Sequence, residues 1–131
     1  MNVLNRLSPY AHWLPRLSLA ATFIYHGIPK LTNPGMMGMP IFIVILVGLA
    51  ELGGGLLILW GGFGPDWATR VAGAFFSIVM LGAIMMIHAA YGWNSINMGM
   101  GNEGKGMEFQ VLILALSLYF VLRGNEANRV A

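Results

Sequence analysis

Four long apolar stretches, at about 13–31, 40–60, 67–91 and 107–122, alternate with short runs of glycine, proline and polar residues. A stretch of about twenty mostly apolar residues is the length a helix needs to cross a hydrocarbon core of about 30 Å. The breaks carry turn chemistry: TNPG after Lys30-Leu31, GMMGMP leading into Pro40, GGFGPDWATR around Asp66, and the glycine-rich GWNSINMGMGNEGKG at 92–106. The pattern predicts an all-α integral membrane four-helix bundle in a single domain over 1–131. A short amphipathic lead-in precedes it, and RGNEANRVA follows as a tail.

Polar residues inside these stretches fall on faces. In RLSLAATFIYHGIPKL, Arg16, His26 and Lys30 lie within about 80° on a helical wheel, so one side is polar and the rest greasy. The second stretch holds a single ionisable group, Glu51, with Gly48 and Gly55 within about 60° of it, a face that another backbone can approach closely. On the third, Arg70, Gly73, Ser77, Ile84 and His88 share one stripe. The fourth carries Glu108 at its start. Ionisable groups inside a membrane are costly and face the bundle interior, a partner charge or water. Candidate partners for Glu51 are Lys30, His26 and Arg70.

Composition strengthens the membrane reading: 57% of residues are hydrophobic and 9% charged, with a mean hydropathy of +0.71, where soluble domains run to about a quarter charged. The net charge of +2 is spread along the chain without a basic run, so no nucleic-acid partner is expected. Cysteine is absent, which excludes disulfides and thiol relays within this chain and assigns any redox chemistry to a bound cofactor or partner. The first stretch follows a basic residue as a signal peptide would, but no A-x-A site precedes a clear mature start, so it is expected to remain as an uncleaved span. Arg6, Arg16, Arg70, Arg123 and Arg129 would lie on one side, and Lys30 and Lys105 on the other. The positive-inside bias then puts both termini in the cytoplasm, in a multi-pass inner-membrane protein.

These residues carry a resemblance. FIYHGIPKL, GLAELGGGLLILWG, ATR opening the third helix and a glycine-rich loop before GMEF are similar to the DoxX family of small four-helix membrane proteins. The resemblance implies a bacterial or archaeal membrane protein linked to electron transfer, with a related subunit in thiosulfate:quinone oxidoreductase. The tail departs from the Gly-Pro-Gly-type ending expected of that family.

With the resemblance in hand, two readings of Glu51 stand side by side: a buried ion pair that fixes helix register, and a proton-exchanging carboxylate beside a quinone headgroup. On the second, Glu51 and His26 are the catalytic candidates. His26, Lys30, Glu51, His88 and Glu108 are the cofactor-binding candidates, and Phe23, Tyr25 and Trp93 line the pocket. His26 and His88 could instead be satisfied histidines at a helix interface, or could ligate haem. Met36, Met37, Met39, Met98 and Met100 could ligate copper or serve as adaptable contact surface; neither haem nor copper is adopted, and no metal site is assigned. Arg16 and Arg70 are expected to snorkel to lipid phosphates. Glu108 and Lys105 could be plain interfacial charges, the acid favoured at a helix N-terminus. The function expected is a subunit of a quinone-linked oxidoreductase in the lipid bilayer. The alternatives are a non-catalytic accessory subunit of a larger membrane complex and a transporter or channel component.

Overall fold

The apolar stretches fold as helices in a computed structural model that describes residues 2–96, 99 and 101–129, and no strand occurs among them. A short helix α1, Asn2–Leu7, and the 3-10 turn Ser8–Tyr10 precede α2, Trp13–Thr32. Pro15 occupies the first turn of α2, where a missing N–H costs nothing. Pro29 sits in the last turn, and the Asn33 N–H closes on the Pro29 carbonyl at 2.8 Å. A 3-10 turn, Pro34–Met37, and Gly38 at φ 63° lead to α3, Ile41–Gly62. After Pro65 comes α4, Asp66–Met86, and beyond a long loop α5, Glu108–Arg123, runs on as a 3-10 turn, Gly124–Asn128.

One boundary differs from expectation. The third stretch is not a continuous helix to Tyr91: α4 ends at Met86, and His88–Tyr91 forms a separate 3-10 turn. The His88 ring is bonded to the main chain of the loop at the Lys105 carbonyl. The loop ends are then pinned together by Met107 N–H to the Gly92 carbonyl and Glu108 N–H to the Trp93 carbonyl. Gly92 at φ 75° makes the turn that a continued helix would forbid.

Three segments are long and apolar enough to cross a membrane: Ile41–Gly62, Asp66–Met86 and Glu108–Asn128. Their outward faces carry large apolar side chains such as Phe42, Leu56, Ile78, Met85, Leu112 and Leu122, all exposed. Helices apolar on faces that no other helix covers suit lipid rather than water. Trp13–Thr32 has the length of the others, with Arg16, His26 and Lys30 along it.

The helices pack in chain order, α2 on α3, α3 on α4 and α4 on α5. Leu19, Ala20, Phe23, Ile58, Ala72, Phe76 and Phe120 form the buried centre, where the Phe23 and Phe76 rings stack with centroids 3.9 Å apart. Gly73 and Ser77, from the stripe expected on the third helix, are buried there. A Cβ on Gly73 would stand 2.7 Å from the Ser117 carbonyl oxygen of α5, so the stripe is a contact surface for backbone.

Candidate functional site

The approach of α2 to α3 places the first polar pair. A Cβ on Gly27 would lie 2.8 Å from the Leu52 nitrogen and 3.0 Å from the Gly48 oxygen, so only glycine lets the two backbones meet. One turn beyond Gly27, Lys30 reaches across to Glu51, and its Nζ stands 2.7 Å from Oε2. The side chains are 12% and 5% exposed respectively, in helices that otherwise offer hydrocarbon. Lys30 also donates to the main-chain oxygen of His26 at 3.0 Å. Two of the three ammonium hydrogens are thus engaged, and the third has no partner among the described residues. Of the three candidate partners for Glu51, the structure selects Lys30.

This pair borders a cavity of about 490 Å³, lined by α2, α3, α4, the Met37–Met39 turn and the start of α5. Lys30, Glu51, His26 and His88 all contribute to its wall, as does Phe23. His26 is exposed, its ring edge-on to Tyr25 with centroids 5.4 Å apart, and it meets Lys30 through its carbonyl rather than its imidazole. Tyr25 and Trp93 are exposed and do not line the cavity. Glu108 does not line it either: its Oε1 accepts the Ser95 N–H at 3.0 Å and ties the loop to the start of α5. His88 serves both places, bordering the cavity while its Nδ1 lies 2.8 Å from the Lys105 carbonyl oxygen. Met37 and Met39 line the wall, whereas Met98 and Met100 fall outside the described residues. In the loop, Lys105 pairs with Glu103, which holds the Glu103 carboxyl below its ordinary range and the Lys105 ammonium above its own.

At the other end of the bundle the expectation for Arg16 is overturned. It does not snorkel to lipid: it is fully buried, and its five N–H groups all find acceptors. Nε donates to His12 Nδ1 at 3.2 Å, one terminal nitrogen to the Ile58 carbonyl at 2.9 Å and Thr69 Oγ1 at 3.0 Å, and the other to Asn125 Oδ1 at 3.1 Å and Asn128 Oδ1 at 2.9 Å. The guanidinium also lies over the Phe120 ring, 4.7 Å from its centroid. Arg70 is likewise engaged by protein, bonding Asp66 at 2.6 Å and the Val121 and Leu122 carbonyls at the end of α5. The segment read as a tail is therefore part of the bundle. Asn125 donates to the Gly61 and Gly64 carbonyls and accepts from Thr69 at 2.6 Å, closing that end.

Residues that sequence reasoning passed over are Asn125, Asn128, Thr69 and, at the cavity, Gln110. Gln110 lines the wall, and its Oε1 is buried with no hydrogen-bond partner among the described residues. The signal was available: an amide opening the run QVLILALS is a polar group in an apolar helix.

A family model described as DoxX matches residues 12–89, from His12 through α4 to the turn after it. Among curated proteins, the chain is 29% identical over 120 residues to a Bacillus subtilis (strain 168) protein named "Putative oxidoreductase CatD", an alignment covering 86% of this chain and 78% of that one. No solved structure matches the chain.

Proposed function

The chain belongs to the DoxX family, and on that premise we propose that it is the membrane subunit of a quinone-linked oxidoreductase, with the cavity beside Lys30 and Glu51 as the quinone site. The observation that carries this is a buried ion pair with an unused N–H on the wall of a mostly apolar cavity. The size suits a ring headgroup, since sites for small organic ligands run to about 300–1,000 Å³ and combine apolar walls with a few polar groups. The Gln110 amide on the same wall, whose oxygen has no partner among the described residues, favours an occupant that brings polar groups of its own. The relative's name, an oxidoreductase, points the same way.

A bound quinone supplies an electron-accepting ring that takes up protons on reduction. The chain's part is to hold that ring and to manage a proton. Lys30 would present its free N–H to a ring oxygen, and Glu51, its Oε2 2.7 Å from Lys30 Nζ, would serve as the proton acceptor at the edge of the cavity. His26, exposed beside Lys30, would exchange protons with the outside. His88 would border the ring, and Glu108 would act one step removed by fixing the loop. In this reading α2 is a fourth span, and the arginine-rich end with both termini lies on the cytoplasmic side of the cell membrane.

The test is extraction. Protein purified in mild detergent from native membranes should retain lipid quinone. Glu51→Gln should lose it and lower quinone-dependent turnover by about 100-fold, the scale of one proton-transfer group, at unchanged helical circular dichroism. Full turnover in that variant would remove the proposal.

A second reading, an accessory subunit that packs against a neighbour, draws on the exposed Met36, Trp93 and Ile96 at the cavity end. It requires co-purification in fixed stoichiometry with a larger complex. A lone species in mild detergent would count against it.

A further inference from the structure

The polarity of the cavity wall is divided among the helices. Thr22, His26 and Lys30 of α2, Glu51 of α3 and Gln110 of α5 bring polar side chains. Helix α4 brings none: its share of the wall, between Ile78 and Met86, is wholly apolar, and so is what α3 adds between Ile43 and Ala50. A molecule that fills this space must be polar on one side and greasy on the other.

The greasy side opens outward. Ile43 and Leu46 on α3, and Ile78 and Met86 on α4, line the cavity and are also exposed. Side chains that border a cavity and still reach the outside, on both of two neighbouring helices, mark an opening between those helices. Nearer the turn that joins them, α3 and α4 touch: a Cβ on Gly54 would lie 2.6 Å from the Phe76 ring, and one on Gly61 would run into Thr69. Both helices are long and apolar enough to cross a membrane, so the opening gives onto lipid rather than water.

Gly82 stands at this opening. It lines the cavity, and a Cβ built on it would meet nothing within 4 Å. The other glycine of α4, Gly73, is required by the Ser117 carbonyl oxygen, 2.7 Å from where its Cβ would be. No such neighbour requires Gly82 among the described residues, although glycine inside a helix weakens it relative to alanine. What this glycine preserves is space at the mouth of the cavity.

From the divided wall, the lateral opening and the unfilled space at Gly82, we infer that the ligand enters from the bilayer between α3 and α4 and keeps a hydrocarbon tail in that gap. The ring lies against Lys30 and Glu51, and the tail runs past Gly82 into lipid. The inference rests on the quinone reading of the site and adds to it a substrate class, a lipid-anchored quinone, and a route. Lipid chains are as apolar as the wall, so the tail gains little affinity by exchanging one for the other. The gap decides instead whether a tailed molecule fits. Gly82 is therefore a specificity residue: a larger side chain there obstructs the tail and leaves the partners of the ring in place.

The experiment uses the full chain in phosphatidylcholine nanodiscs, freed of native quinone and titrated with decylubiquinone and with dimethoxy-methylbenzoquinone, the same ring without a tail. Gly82→Phe should weaken decylubiquinone about tenfold, within the range for forcing a group into occupied space, and leave the tailless ring within about twofold. Each ligand is compared with itself in the same lipid, so its partitioning into the bilayer cancels. The melting temperature should hold or rise, since the new side chain starts in open space and glycine's helix penalty is gone. A second measurement needs no variant: a decylubiquinone carrying a photoreactive diazirine midway along its tail should label α3 and α4 near Leu46 and Ile78, and excess decylubiquinone should displace that labelling. Displaceable labelling confined to α2 or α5 would overturn the inference and leave the quinone site standing. So would an unchanged decylubiquinone affinity in Gly82→Phe, or an equal loss for both ligands, which would mean that the side chain blocks the ring rather than the tail. Binding of neither ligand to the unaltered protein removes the inference together with the site.

Discussion

Helix α2 buries a cation near each end, and the two are held in opposite ways. Arg16 gives all five of its N–H groups to neutral acceptors, four side chains and a carbonyl, with no carboxylate among them. Lys30 meets a carboxylate directly, keeps one N–H unspent and faces a cavity. Arginine's planar fork suits a site where many fixed acceptors must be met at once, whereas an ammonium is a compact charge that can turn toward a new partner. With every donor used, the Arg16 end has nothing left for a ligand and acts as a clasp on the C-terminal turn. The Lys30 end is balanced in charge but incomplete in hydrogen bonds, and chemistry belongs there.

The largest effect should therefore come from the clasp. Arg16→Met leaves the Asn125, Asn128 and Thr69 oxygens short of a donor in a closed space, and should cost about 3–5 kcal/mol, the range for breaking a buried charged network. Arg16→Lys should recover little of this, since three donors on a point charge cannot reach five acceptors. Thermal melts in detergent, with protease release of the segment after Arg123, measure it. A loss under about 1 kcal/mol would mean that the two ends do not differ as argued.

At the cavity the single and double variants should part company. Lys30→Met strands the Glu51 carboxylate and should destabilise by about 3 kcal/mol. Lys30→Met with Glu51→Met removes both charges and should return to within about 1 kcal/mol of the parent, while losing any bound quinone. A fold that tolerates loss of the pair but not loss of its ligand keeps the pair for function. If the double variant is as damaged as Arg16→Met, the pair is a second clasp. Gly27→Ala acts one turn away by driving a methyl group into the α3 backbone at 2.8 Å. It should cost about 1–3 kcal/mol and weaken quinone retention by separating Lys30 from Glu51.

What the chain discloses on its own follows from the range of the forces involved. The helices are legible because hydrophobic runs and Gly/Pro breaks are local signals: Pro15, Pro40 and the glycine-rich loops mark their limits. The end of α4 is not, since Ile87, Ala89 and Ala90 continue the apolar run past Met86, and the bond that His88 makes beyond the helix end goes to a carbonyl seventeen positions away. Wheel angles put Arg16, His26 and Lys30 on one face but could not separate their fates. Arg16 depends on Asn125 and Asn128, more than a hundred positions distant, and Lys30 on a close approach that only Gly27 permits. His26 is exposed despite sharing the polar face, with its ring edge-on to Tyr25. Arg16 entered the positive-inside expectation as a surface charge, whereas it is interior, so that expectation rests on Arg6, Arg70, Arg123 and Arg129.

The smallest test of the comparison is a proton at the clasp. His12, just before α2, accepts the Arg16 Nε hydrogen at Nδ1 and must be neutral there to do so. Burial, and then the Arg16 charge beside it, hold its pKa below the ordinary 6.5. The unfolded chain therefore binds a proton more readily than the folded one, so the stabilisation is complete above pH 6.5 and declines as pH falls through that value toward the lower folded pKa. The loss should stay below about 1 kcal/mol, since the ring is only partly buried and a single hydrogen bond is at stake. Melts between pH 7.5 and 5 should show this slope in the parent, and His12→Ala should lack it. Arg16→Met should show a shallower slope, because the repulsion is gone while the burial of the ring remains. If that variant keeps the full slope, His12 answers to something other than Arg16, and the clasp ends one residue shorter than drawn here.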